Sequence, residues 1–280
     1  MQFLRYDNMG TYRSCVLDVL LEHEVQNNLL LSLITNSKAY NAEDWLLASV
    51  TGNGGGVALT ALYANPFPLL LYATGNSIDN DAVELLSREL LRLSCPPHGV
   101  MAESVLAQLF ADIHAGGRKR RLHMATTAMR LDKLTEHEKA PGSCRALEKR
   151  DMAFAPFWER AFSKDCRSHV FSLSEYSERL KERLGKDTHF IWIDNAPVSQ
   201  AVHGRDTPNG AVINMVYTPP QYRGHGYAQS VVSALSEKLL NSDKDFCCLY
   251  ADSDNPVSCG MYKKLGFKVV GELKDIRFDI

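Results

Sequence analysis

The chain has 280 residues, enough for two domains of ordinary size rather than one. Apolar residues make up 45% and charged residues 23%, which supplies a full buried core and excludes a disordered chain. The formal charge of -2 gives no broad field to attract nucleic acid or an anionic membrane, so any anion site must be local.

The first segment, MQFLRYDNMG, carries Arg5 and Asp7 where a signal peptide needs an unbroken apolar stretch. No run approaches the roughly 18 apolar residues of a membrane span, and a cytoplasmic chain is expected. From Tyr12 to Leu33 apolar residues fall at helical spacing. NAEDWLLASVTGNGGGVALTALYANPFPLLLYATGN then reads as strands around a turn. The run Gly52 to Gly56 suits a hairpin needing positive φ rather than a phosphate cradle, because no lysine follows and the next segment is strand-like. Ser77 to Leu93 forms an amphipathic helix, PPHG breaks the chain at 96 to 99, and a further helix covers about Ala102 to Ile113.

The basic cluster Arg118 to Arg121 lacks interleaved aromatics and reads as a solvated turn and strand start. The polar, turn-rich stretch TEHEKAPGSCRALEKRD places a linker near 135 to 145, dividing the chain into domains 1–138 and 139–280. Seven cysteines, Cys15, Cys95, Cys144, Cys166, Cys247, Cys248 and Cys259, form no C-x-x-C pair. An odd number without that spacing disfavours disulfides and a zinc site, so no metal is expected.

In the second half Ser172 and Glu175 stand at capping-box spacing, with Gly185 as a stop. THFIWIDNAPVSQAVHG reads as a hairpin about Asn195 to Pro197, and GAVINMVYTPP as a strand. A helix beginning near QYRGHGYAQ, the strand DFCCLYAD, a helix from Pro256 to Leu265 ended by Gly266, and the strand FKVVGEL follow. Alternating strands and helices imply an α/β fold around a mixed sheet. The order hairpin, strand, loop, helix also echoes in the first half, with Thr74, Gly75, Asn76 and Ser77 where the second half has Gln221 to Gly226. Only the second loop looks built for an anion.

Gly224 and Gly226 open a helix whose first backbone N–H groups are unpaired and carry about half a positive charge. Without Cβ atoms they let ligand oxygens approach the main chain, with Arg223 and His225 at the rim. The pair alone also fits an ordinary strand-to-helix turn. Its setting is more specific: Gln221, Gly224 and Gly226 match Q/R-x-x-G-x-G/A between a strand and a helix, and Asn255, Ser258, Met261, Tyr262, Lys264, Gly266 and Phe267 match N-x-x-A/S-x-x-L/M-Y-x-K-x-G-F. In both motifs the chain resembles the Gcn5-related N-acetyltransferase (GNAT) family, strongly from about His189 to Glu272 and weakly before it.

That resemblance implies two GNAT-like domains, the first degenerate, each a mixed sheet flanked by helices, with strands splayed at a cofactor cleft. Gln221, Tyr222, Arg223, Gly224, His225, Gly226, Tyr227 and Ala228 would hold the pyrophosphate of acetyl-coenzyme A. Backbone groups of Val216, Tyr217 and Thr218 would pair with the pantetheine arm, and an N–H near Val216 would polarise the thioester carbonyl. Asn255, with Ser258 behind it, would contact the arm, and Tyr262 would protonate the departing thiolate, although Asn255 also fits a turn starter and Tyr262 a core aromatic. The strand GAVINMVY has no carboxylate, which leaves His203, Asp252 or a water relay as general base. The implied function is acetyl transfer from acetyl-coenzyme A to a small-molecule or peptide amine by direct attack. A catalytically silent acyl-coenzyme A sensor is the alternative, and a P-loop nucleotide site is disfavoured because its lysine motif is absent. Neither nucleic acid nor membrane is an expected partner, and the oligomeric state is not readable.

Overall fold

The computed structural model describes residues 1–36, 44–75, 77–93 and 96–279, so Asn76 and Cys95 lie outside the described residues. The chain packs as two compact units, Met1–Ala128 with Val270–Ile280, and Met129–Val269.

The first unit contains β1 (Gln2–Tyr6), α1 (Met9–Leu21), α2 (Asn28–Thr35), β2 (Leu46–Thr51), β3 (Val57–Tyr63), β4 (Leu69–Ala73), α3 (Asn80–Arg92), β5 (Gly99–Glu103) and α4 (Ser104–His114). β6 (Arg120–Leu131) starts here and crosses the boundary between the units. β1 to β4 pair antiparallel in chain order, β2 and β3 closing over the glycine run with Gly55 at φ +82, as the hairpin reading expects. Strand alternation sends Leu46, Val50, Leu59, Leu69 and Leu71 to a core with Leu86 and Leu90 of α3 and Phe110 of α4. Leu47, Leu62, Leu70 and Tyr72 face the other way, onto Tyr12, Val16 and Leu20 of α1 and Leu31 and Ile34 of α2.

The helical spacing from Tyr12 to Leu33 resolves into two helices. Asn27 breaks it by donating its side-chain amide to the Leu20 carbonyl at 3.0 Å. β5, only five residues long, lies where the sequence shows no strand pattern.

The second unit follows with β7 (Ser143–Ala146), α5 (Ala155–Asp165), α6 (Leu173–Lys181), β8 (His189–Asp194), β9 (Ala196–Asp206), β10 (Gly210–Tyr217), α7 (Tyr227–Leu240), β11 (Phe246–Asp252) and α8 (Pro256–Leu265). The strands run β11-β10-β9-β8-β7, antiparallel except for β10 with β11. The Ser172–Glu175 capping box forms at the start of α6, and Asn195 turns the β8–β9 hairpin at φ +56. Val231, Val232, Leu235 and Leu239 of α7 pack on one face of the sheet with Ala211, Ile213 and Leu249. Leu180 of α6 and Ala155 of α5 cover Ile191 on the other. Both units are mixed α/β.

Gly266, at φ +104, ends α8, and β12 (Lys268–Phe278) leaves the second unit. Leu273 to Arg277 pair antiparallel with Glu103 to Gly99 of β5. The compact units therefore differ from the single cut expected between 138 and 139: the last strand completes the first unit's sheet, a long-range pairing that a linker's composition does not reveal.

Candidate functional site

β10 and β11 are the parallel pair at the centre of the second unit, and they stay together only briefly. Gly210, Ala211 and Val212 pair with Phe246, Cys247 and Cys248; beyond them β10 runs on to Tyr217 and β11 to Asp252 without partnering each other. The strands splay. On its other edge β10 stays with β9 through a bulge: Asn214 pairs with Val202 and Tyr217 with Gln200, so three steps on β10 match two on β9. Met215 absorbs the extra residue at φ +49. The carbonyls of Met215 and Tyr217 turn toward β9, accepting from Gln200 Nε2 at 3.3 Å and Ser199 Oγ at 3.2 Å, and Ser199 also meets Thr218 Oγ1 at 2.8 Å. Val216 stands between them beside the open splay.

The loop after β10 begins with a tight turn at Pro220–Tyr222, then passes through Gly224 at φ +83 and Gly226 at φ +78. Gly226 is the N-cap of α7 and supplies no side-chain hydrogen bond, so the first turn of α7 presents its N–H groups uncapped. Chain neighbours aside, a Cβ added at Gly224 would meet none of the described residues within 4 Å, and one at Gly226 would meet only Ala140 Cβ, at 3.7 Å. The loop is thus open where a ligand would approach, and it fits an anionic pyrophosphate. Arg223 is not a free cation: it donates to the Thr218 carbonyl at 3.0 Å and pairs with Asp165 of α5 at 2.9 Å. His225 donates Nδ1–H to the Arg223 carbonyl at 2.9 Å and stacks on Tyr227, whose hydroxyl donates to Asp194. Gln221 is exposed, while Tyr222, Tyr227 and Ala228 are half-buried.

At the far side of the splay, Asn255 caps α8 by accepting from the Ser258 N–H at 3.1 Å, and its amide N–H groups bond to none of the described residues. Tyr262 belongs to the core that also holds Val216, Tyr222 and Tyr227, and its ring meets Phe267 edge-on. Its hydroxyl has no hydrogen-bond partner among the described residues. Burial raises its pKa well above the ordinary tyrosine value, with Cys166 and Cys259 adding to the effect. Of the expected general bases, His203 is bonded to Asp206 at 2.7 Å, and Asp252 is taken up by the Asp254 N–H and by Arg167. Cys247 and Cys248 are buried, the former pushed up to about 12 by burial, as core thiols should be.

Residues 193–275 match the family model described as FR47-like protein, while none of the curated proteins matches the chain. Over its whole length the chain superposes on solved acetyltransferase structures. A GCN5-related N-acetyltransferase from Sphaerobacter thermophilus gives a TM-score of 0.67 at 14% identity, covering 99% of this chain and 95% of the other. A GNAT-family acetyltransferase from Colwellia psychrerythraea gives 0.62 at 10%, with 99% of both chains covered. A tandem GNAT protein from the clavulanic acid biosynthesis pathway gives 0.56 at 15%, covering 99% of this chain and 98% of that one. The chain carries the GNAT fold in tandem.

The first GNAT-like unit keeps one half of this arrangement. β4 and β5 pair in parallel only at Leu69–Val100 and Leu70–Met101 before separating. Its strand-to-helix loop differs: the Asp79 carboxylate accepts from the N–H groups of Asp81 and Ala82, at 3.1 and 3.3 Å, so the start of α3 carries its own anion. The bulge at Met215 and the buried side chains around it escape a reading of the sequence, because INMVY, the part of the strand around Met215, shows no glycine or proline to mark a kink.

Proposed function

We propose that the second unit binds acetyl-coenzyme A in the β10–β11 splay and transfers the acetyl group directly to an amine, a small molecule or a peptide. The observation that carries this reading is the conjunction of the splay with the uncapped start of α7, one site for an extended chain and one for its phosphates. The N–H groups of Gly224 to Ala228 would hold the pyrophosphate. The edge of β10 from Val216 to Thr218 would pair with the pantetheine arm, and Asn255 would donate to it. When bound, the thioester supplies an activated acyl group. The Val216 N–H would stabilise the negative charge that develops on the acyl oxygen. Tyr262 would donate a hydrogen bond to the leaving sulfur; its raised pKa keeps the proton on the phenol at any working pH.

Calorimetry with acetyl-coenzyme A and with ATP tests the binding step. At about 100 times its dissociation constant acetyl-coenzyme A stabilises the fold by roughly 2.7 kcal/mol, and ATP does much less. Equal shifts with both ligands would remove the pantetheine half of the reading. The engagement of His203 by Asp206 and of Asp252 by Arg167 favours, as a second reading, a protein that binds acyl-coenzyme A without turnover. Release of free thiol across a panel of amines decides between them.

A further inference from the structure

Met215 lies in the left-handed region, where a residue with a Cβ is strained, yet it sits inside a strand. Two polar groups grip it, Gln200, which is buried, and Arg183, which is half-buried. From β9, Gln200 donates Nε2–H to the Met215 carbonyl at 3.3 Å, and its other end is fixed because Oε1 accepts from His189 Nε2 at 3.2 Å. From the turn after α6, both terminal nitrogens of Arg183 lie 3.7 Å from the Met215 sulfur, and Arg183 is in turn bonded to Glu159 of α5. Gln200 and Glu159 are 0% and 1% exposed. Burying an amide and an ion pair is a weak way to stabilise a fold when apolar residues of the same size would serve, so their convergence on one residue points to placement.

We propose that Gln200 and Arg183 are positioning residues that hold Met215 in the left-handed conformation and so fix the following Val216 peptide beside the splay. What the fixed peptide does rests on the function proposed above; how it is fixed does not.

The backbone is read by NMR, from the Met215 HN–Hα coupling and Cα and Cβ shifts, in the free protein. The dissociation constant of coenzyme A is measured alongside. Gln200→Met moves Met215 out of the left-handed region and weakens coenzyme A by about tenfold or more. Met215→Gly in the same background restores affinity, since glycine adopts that φ without help; a residue that merely stabilised the fold would not be rescued in this way. Arg183→Met strands a buried carboxylate, so it is made together with Glu159→Gln, and the same backbone change is expected. An unchanged Met215 signature in both Gln200→Met and the double variant overturns the proposal. If the wild-type protein fails to bind coenzyme A, the function falls, and the NMR signature still decides the brace.

Discussion

Two glycines at the mouth of α7 have different surroundings, and that difference is testable. Gly224 faces open space, so Gly224→Ala strains only the backbone, costing about 1 to 2 kcal/mol at φ +83. Gly226→Val adds a branched side chain at the N-cap itself, where the pyrophosphate would meet the main chain. Both variants should fold, and acetyl-coenzyme A affinity should fall by about 10²-fold in the valine variant; tight binding by a folded Gly226→Val protein would contradict the placement. Tyr262→Phe keeps the edge-on packing against Phe267 and removes only the hydroxyl. If that hydroxyl serves the leaving sulfur, turnover drops by about 10² or more with acetyl-coenzyme A affinity little changed. Near-normal turnover with a lower melting temperature would return Tyr262 to the core. The motif residues were legible because glycine, asparagine and tyrosine at fixed spacing carry local meaning. Glu159, Arg183 and Gln200 were not, since each takes its meaning from Met215, 15 to 56 residues away in the chain.

At the scale of elements, α3 and α7 are the same helix in two copies with opposite starts. One is capped by Asp79, the other by a bare glycine. A carboxylate bonded to the first N–H groups repels a phosphate and fills its place. Titration should therefore give one acetyl-coenzyme A site per chain, and a stoichiometry of two would show that the capped copy still binds. Asp79→Ala should cost about 1 kcal/mol of first-unit stability, measured by urea denaturation. The order of strands and helices was legible in the second half from turn residues and caps. Others were not, among them β7, which forms in the polar stretch expected to be a linker. α5 and its N-cap carry Phe154, Phe157, Trp158 and Phe162 at helical spacing around Pro156, a pattern masked by the polar stretch beside it. β5 is too short for alternation to register.

For the whole molecule, each unit closes its core around one buried histidine, and both respond to acid in the same direction. His114 in the first unit bonds through Nδ1 to Ser87 at 2.9 Å and stacks on Phe110, and its Nε2 is buried without a partner. His189 in the second bonds through Nε2 to Gln200, and there Nδ1 is the unpartnered atom. A proton added to either free nitrogen would have no acceptor. Burial lowers both pKa values to about 4, with Arg118 near His114 and Arg183 near His189 acting in the same sense. In the unfolded chain each would titrate near 6.5. Between those values the unfolded state binds protons that the native state refuses, so stability falls as pH drops below about 6.5 and the loss is complete near 4. Above 6.5 neither contributes a slope. The full loss is on the order of 3 kcal/mol for each histidine. Urea denaturation between pH 7.5 and 5.5 measures the onset of this loss in a window where ordinary carboxylates are still ionised. His114→Gln should flatten the profile of the first unit and His189→Gln that of the second, whatever each does to stability at neutral pH. A wild-type profile already flat across that window would mean that both rings find a proton acceptor in the native state.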